Sequence, residues 1–187
     1  MTQTTPTPQP YALKFWYRPG AVVRALIDAG QGHGIALLVG GLFGFVQAIR
    51  VAMASENSVL GVLFAGAALG VLAIYLFSWL LRNFGRWFGA QAQVAEVRTA
   101  LGLGLLPWTL LFAGFSLILN ASSEAAEAVQ WIPFLSVFFV YGYVILVLSL
   151  SAALRLSVLK TFLCLVVTFV VSLFPMTLVA QLVLQRL

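Results

Sequence analysis

Charged residues are scarce in this chain, which has only 10 Lys and Arg and 5 Asp and Glu in 187 residues. A soluble domain is typically about 25% charged, because its surface must bind water. With 62% apolar residues and a mean hydropathy of +1.05, the chain is not a soluble domain, a disordered segment or a nucleic-acid-binding domain. The net charge of +5 is better explained by Lys and Arg retained on one side of a membrane.

The side chains that carry most catalytic and metal chemistry are also scarce. Cys164 is the single cysteine, so no disulfide can form within the chain. His33 is the single histidine, and no Cys/His cluster offers zinc ligands. We therefore expect no catalytic residue, no metal and no cofactor, and we predict that the protein is not an enzyme.

Long uncharged stretches dominate the rest of the chain. Each exceeds the about 20 helical residues that a bilayer core of about 30 Å requires. A helix satisfies its own backbone in lipid, so we predict an all-α polytopic membrane protein with five transmembrane helices. Residues 1–14, rich in Thr, Pro and Gln, are expected to be a flexible tail, and 15–187 one membrane domain. The predicted helices lie near 34–54, 58–81, 101–120, 131–153 and 159–184.

The basic residues fall unequally on the two predicted sides of the membrane. Arg50 and Arg186 lie on one side, and the other eight lie on the opposite side. This bias predicts a cytoplasmic N-terminus and an external C-terminus. The eight are Lys14, Arg18, Arg24, Arg82, Arg86, Arg98, Arg155 and Lys160.

Two segments are amphipathic rather than spanning. The first is Pro19–Asp28, and the second begins at Arg82, where Phe84, Trp87 and Phe88 share a face. Each could lie flat at the inner membrane surface or pack across the inner mouth of the bundle. We expect interfacial helices on the inner face, and Pro107 and Pro175 predict bends in the third and fifth helices.

Small residues and one polar pair mark the first two predicted spans. Gly40 and Gly44 on the first helix, and Gly66 and Gly70 on the second, have a spacing that lets backbones approach closely. Packing of these helices within one chain is favoured, and a homo-oligomer remains an alternative. Gln47 and Arg50 share a face and could form an intramembrane polar site, although Arg50 can also snorkel to the outer interface.

Three stretches carry a resemblance to a known family. They are Arg18-Pro19-Gly20 with the helix through Arg24, Arg86-Trp87-Phe88-Gly89-Ala90 with Glu96 and Pro107 downstream, and Tyr141-Gly142 through Arg155-Leu156-Ser157. Together they resemble the Yip1-domain family of five-helix integral membrane proteins. Ala90 stands where that family usually has a second glycine, so the backbone role of that position is not carried over.

The resemblance implies a role in membranes rather than a reaction. Eukaryotic members act in ER–Golgi membrane traffic and associate with Rab-type GTPases, and the family supplies no catalytic residue. Eight Arg against two Lys, with many Ala and Gly, indicate a bacterial source, so no Rab partner is assumed. The expected location is the bacterial cytoplasmic (inner) membrane.

The expected function is that of a non-enzymatic membrane protein that organises membrane or partner proteins through a basic cytoplasmic face. Its expected partners are membrane lipids and other membrane proteins, not nucleic acid. The alternative is a small transporter, channel or lipid-moving protein with a polar path between helices. The residues expected at the basic face are Arg18, Arg24, Arg82, Arg86, Trp87, Arg98, Arg155 and Lys160.

Overall fold

The computed structural model describes residues 11–54, 58–121 and 130–184. At several helix-end positions, among them Arg50 and residues 174–184, the description covers the backbone but not the side chain. Eight α-helices follow one another along the described residues, which contain no strand, and the all-α prediction is confirmed. The helices are α1 (Tyr11–Tyr17), α2 (Pro19–Asp28), α3 (His33–Ala54), α4 (Val59–Trp87), α5 (Val94–Gly104), α6 (Leu106–Ala121), α7 (Ile132–Leu154) and α8 (Val158–Leu184).

Four helical segments are long and apolar enough to cross a membrane. They are α3 as far as Met53, α4, α5 with α6 as far as Ile118, and α7. These segments match the first four predicted spans and are compatible with a membrane protein. The fifth predicted span lies in α8, where Val158–Leu173 is a shorter apolar stretch and the later side chains fall outside the described residues.

Large apolar side chains cover the outside of these helices. Phe64, Leu69 and Phe139 are between 50 and 72% exposed. A soluble monomer rarely leaves such a surface to water, whereas a bilayer would cover it. The pattern therefore agrees with the low charge of the sequence.

The glycines of α3 and α4 bring these two helices into backbone contact. A methyl group on Gly44 would overlap the carbonyl oxygen of Gly66, and one on Gly70 would lie 2.9 Å from the Cα of Gly44. Residues without a side chain are needed at such a crossing. The predicted packing of these helices within one chain is confirmed.

The first amphipathic segment, α2, packs on the bundle rather than standing apart from it. Val22, Val23 and Leu26 are buried, in the same apolar core as Leu150 and Leu154 of α7. Packing against the bundle, one of the two compatible arrangements predicted from the sequence, is observed. A position at the inner membrane surface stays a prediction.

The helix before it, α1, reaches far along α7. The Trp16 ring stacks on Tyr141, with ring centroids 6.3 Å apart and planes 7° from parallel. Tyr141 lies 13 residues before Leu154, or about 20 Å along the helix. α1 begins at Tyr11, within the segment 1–14 that was predicted to be a flexible tail.

The second amphipathic segment is not a separate helix. α4 runs without a break through 29 residues to Trp87, which is about 44 Å. That length exceeds a bilayer core of about 30 Å, so Arg82 and Arg86 lie on the last turns of one long helix. The predicted end of this helix at residue 81, and the interfacial helix after it, are wrong.

The third predicted span is longer than expected and is interrupted. It begins at Val94 rather than 101, and α5 gives way to α6 at Leu105. Pro107 has no N–H to bond the carbonyl of Leu103, which accounts for the break at this point. α8 is helical on both sides of position 175, and the second bend predicted there stays a prediction.

Candidate functional site

The end of α4 and the start of α5 place three arginines close together in the chain. A tight turn joins the helices: Gly89 has φ of +92°, and the Ala90 N–H bonds the Gly85 carbonyl at 2.9 Å. This is the Schellman pattern, in which a left-handed residue follows the helix and closes its last carbonyls. Arg82 and Arg86 precede this turn, and Arg98 follows it on α5.

An aromatic ring holds one of these arginines. The Arg98 guanidinium carbon lies 4.5 Å from the centroid of the Tyr75 ring, a cation–π contact from α5 to α4. His33, the first residue of α3, meets the same ring edge-on, with ring centroids 6.4 Å apart. Tyr75 therefore gathers groups from three helices at this end of the bundle.

Glu96 connects this turn to the turn between α7 and α8. One carboxylate oxygen accepts the N–H of Gln93 at 2.6 Å, which caps the start of α5. The other accepts a hydrogen bond from Arg155 Nη2 at 3.2 Å. Arg155 ends α7 in a left-handed conformation with φ of +57°, which is uncommon for a residue other than glycine. The pair thus joins residues 59 positions apart in the chain.

A cavity opens beside this ion pair, where α2, α5 and α7 meet. It has a volume of about 380 Å³. Two arginines and two carboxylates line it together with an apolar wall. The charged residues are Arg24, Asp28, Glu96 and Arg155, and the wall is formed by Ile27, Ala152 and Ala153.

Positive charge exceeds negative charge at this end. Six of the eight basic side chains that the structure describes lie here, with the two described carboxylates, Asp28 and Glu96, and the Arg155–Glu96 pair is the one salt bridge among them. The Nε atoms of Arg82 and Arg98 are buried without a hydrogen-bond partner in the described part of the chain. Neither guanidinium group is paired with a carboxylate in the described part of the chain, so both can attract an anion from outside it. We call the residues Arg24, Arg82, Arg86, Arg98, Arg155 and Lys160 the basic end.

Lys160 and Trp87 lie beside the other predicted contacts, and Arg18 does not. Lys160 is in the first turn of α8, five residues after Arg155. Its backbone nitrogen lies 3.4 Å from the Ser157 hydroxyl oxygen. Trp87 is the last residue of α4 and is 76% exposed. Arg18 is exposed before α2. It lies between Trp16, which stacks on Tyr141, and Gly20, which contacts Leu148, so it is farther along α7 from Arg155.

Gln47 is the member of the predicted polar pair whose side chain the structure describes, and it does not face the bundle interior. Gln47 is exposed between the buried residues Val46 and Ala48. The side chain of Arg50 lies outside the described residues.

The hydroxyl groups inside the bundle mostly bond their own helices. Thr109 donates to the Leu105 carbonyl at 3.0 Å, and Thr168 donates to the Cys164 carbonyl at 2.8 Å. Such bonds satisfy hydroxyl groups without creating a polar path. The residues that the structure describes also hold no group of three His, Cys, Asp or Glu side chains suited to a metal.

Three contributors to this site were not expected from the sequence: Asp28, Tyr75 and Glu96. Two of them are among only five carboxylates in the chain, and that scarcity is the signal that could have marked them. Their partners could not be identified from the sequence because they come from other helices.

Comparison of the chain with models of known families, with curated proteins and with solved structures gives no match. The resemblance to the Yip1-domain family therefore stays a prediction from sequence motifs.

Proposed function

We propose that this chain is a non-catalytic integral membrane protein of the Yip1-like type that organises membrane lipids or partner proteins through its basic end. The observation that carries the proposal is the surplus of cations there. The six residues of the basic end lie with two described carboxylates, Asp28 and Glu96, and one salt bridge forms among the described residues. Cations without partners in their own chain attract anionic lipid headgroups or acidic protein surfaces.

The proposed location is the bacterial cytoplasmic membrane, with five spans and the basic end toward the cytoplasm. Lys and Arg are retained on the cytoplasmic side of membrane proteins, which supports this orientation. The length of α4 supports it further. From Val59, a core of about 30 Å is crossed in about 20 residues, so Arg82 and Arg86 extend beyond the apolar layer into the headgroup region.

The groove that opens to the outside between α6 and α7 offers no polar path, which favours an organising role over transport. A transport path needs polar groups aimed into a shared space. The cavity that α6 and α7 form is lined by Leu111, Phe112, Phe139 and similar side chains, with Ser136 the one hydroxyl. That hydroxyl donates to the carbonyl of Ile132 in its own helix at 2.8 Å.

Charge reversal tests the proposal directly. The double variant Arg82→Glu, Arg86→Glu is compared with Arg82→Lys, Arg86→Lys, which retains both charges. Both are reconstituted in nanodiscs that contain phosphatidylglycerol, and bound lipid is measured by native mass spectrometry after mild detergent extraction. Each arginine near an anionic surface contributes about 1 kcal/mol, so we expect the Glu variant to retain at least about tenfold less phosphatidylglycerol.

Equal lipid retention by the two double variants, together with unchanged protein co-purification, would refute the proposal. Solute or lipid flux in proteoliposomes of the purified protein would favour the transporter instead. That flux assay needs no knowledge of the partner and uses the full chain.

A further inference from the structure

We infer that the cavity between α2, α5 and α7 binds the headgroup of a zwitterionic phospholipid, one with a phosphate and a primary ammonium group. The inference rests on the proposed function in placing this cavity at a membrane surface. It goes beyond the proposed function because the cavity presents carboxylates as well as arginines. A surplus of cations alone would not indicate a zwitterionic ligand.

Two arginines supply the site for the phosphate. Glu96 holds Arg155 through Nη2, which leaves the remaining N–H groups of that guanidinium free to donate. The Arg155 side chain is 59% exposed, so these groups remain accessible from the cavity. Arg24 lines the same cavity and has no described carboxylate within salt-bridge distance. Guanidinium groups bind phosphate oxygens in pairs, with strong charge-assisted hydrogen bonds.

One carboxylate supplies the site for the ammonium group. Both oxygens of Glu96 are already bonded, one to the Gln93 N–H and the other to Arg155. Asp28 forms no salt bridge with any basic residue that the structure describes. It lies one helical turn after Arg24, on the same face of α2, so both charges look into one cavity. A ligand with only negative charge would meet repulsion from Asp28.

The size and wall of the cavity also fit a lipid. Its volume of about 380 Å³ lies within the usual range for small-ligand sites, about 300–1,000 Å³. Ile27, Ala152 and Ala153 give it an apolar side.

The backbone at Arg155 permits a clean test of its side chain. Glycine adopts a positive φ without strain, so Arg155→Gly removes the cation while the helix end is retained. Asp28→Asn removes the carboxylate charge without changing side-chain size. Arg24→Gln removes the other cation and leaves a shorter polar side chain. Arg86→Gln is the matched control, because Arg86 belongs to the basic end but does not line the cavity.

Each variant is reconstituted in nanodiscs with equal phosphatidylethanolamine and phosphatidylglycerol, and retained lipids are counted by native mass spectrometry. Loss of one charge-assisted contact corresponds to about a tenfold change, so we expect about tenfold less phosphatidylethanolamine on Arg24→Gln, Arg155→Gly and Asp28→Asn. Arg86→Gln should retain it fully. Asp28→Asn should also lose the preference for phosphatidylethanolamine over phosphatidylglycerol.

The lipid assignment is overturned if all three cavity variants retain phosphatidylethanolamine as the unaltered protein does, or if the unaltered protein retains phosphatidylglycerol alone. Binding of soluble phosphoethanolamine without retention of the lipid would also overturn it. Thermal unfolding in detergent confirms that each variant is folded. The charge-reversed Arg82 and Arg86 variant separates the two proposals, since it should lose phosphatidylglycerol and keep phosphatidylethanolamine.

Discussion

The hydroxyl of Tyr141 donates a hydrogen bond to the backbone carbonyl of Trp16, and the two rings stack on one another. The carbonyl needs a donor because the helix breaks at Arg18, whose φ is −139°, before the N–H of Gly20 can reach it. A carbonyl without a partner in apolar surroundings is costly. One side chain from the middle of α7 thus holds the junction between α1 and α2.

Tyr141→Phe should therefore loosen the N-terminal helices while leaving the bundle folded. The substitution keeps the ring and removes the hydroxyl, which costs about 1 kcal/mol for a hydrogen bond of this kind. Hydrogen exchange of the backbone amides in residues 11–17, measured in nanodiscs, should be about fivefold faster. Tyr17→Phe is the control, because Tyr17 is 70% exposed. Equal exchange in both variants would show that the Tyr141 hydroxyl does not hold α1.

The crossing of α3 and α4 should not tolerate a methyl group. Gly44→Ala would push a Cβ into the Gly66 carbonyl, and overpacking of this kind costs about 1–3 kcal/mol. Gly61→Ala is the matched control on α4, since the nearest atom to its new Cβ is Ser58 Cβ at 3.7 Å. We expect a lower thermal unfolding temperature in detergent for Gly44→Ala alone. A similar temperature for both variants would contradict the close crossing.

The apolar segments were predictable from the sequence because lipid imposes a length and a composition on each span. The bounds of α3 and α7 agree with prediction within a residue or two. The predicted end of α4 was too early because the apolar run ends at Arg82. Nothing in the sequence, however, stops the helix before Gly89. The distribution of charges indicates where a residue lies relative to a membrane. The left-handed conformation of Gly89 is what ends the helix.

The candidate site was predictable only as a set of cations. The unequal distribution of Lys and Arg between the two predicted membrane sides identified the arginines, because it depends only on positions in the sequence. The pairing of Glu96 with Arg155, and the shared cavity with Asp28, depend on how α2, α5 and α7 pack. A single sequence carries no record of which helix lies beside which, so these contacts had to come from the fold.

The turn after α4 should lose stability when either of its two small residues is changed. Gly89→Ala forces a left-handed conformation on a residue with a Cβ, which costs about 1–2 kcal/mol. Ala90→Gly removes a methyl group that is buried, since Ala90 is only 8% exposed, so we expect it to destabilise by about 1 kcal/mol.

The control for these variants is a glycine substitution that should stabilise the protein rather than destabilise it. Gly114→Ala lies in the middle of α6 with no atom near its new Cβ, so it should stabilise the helix by about 0.5–1 kcal/mol. Thermal unfolding in detergent measures all three. A stabilising Ala90→Gly would mean that position 90 needs the backbone freedom of glycine.

The Glu96–Arg155 pair should couple the two turns weakly and in a salt-dependent way. The Arg155 side chain is 59% exposed and that of Glu96 is 17% exposed, so water screens the pair. A double-mutant cycle with Glu96→Gln and Arg155→Gln should give a coupling free energy of about 0.2–1 kcal/mol at low salt. Gln at position 155 carries the same left-handed strain as Arg, so strain cancels in the cycle. Near 1 M salt, where the screening length is about 3 Å, the coupling should approach zero. A coupling that stays constant from low to high salt would mean that the two side chains interact by packing and not by charge.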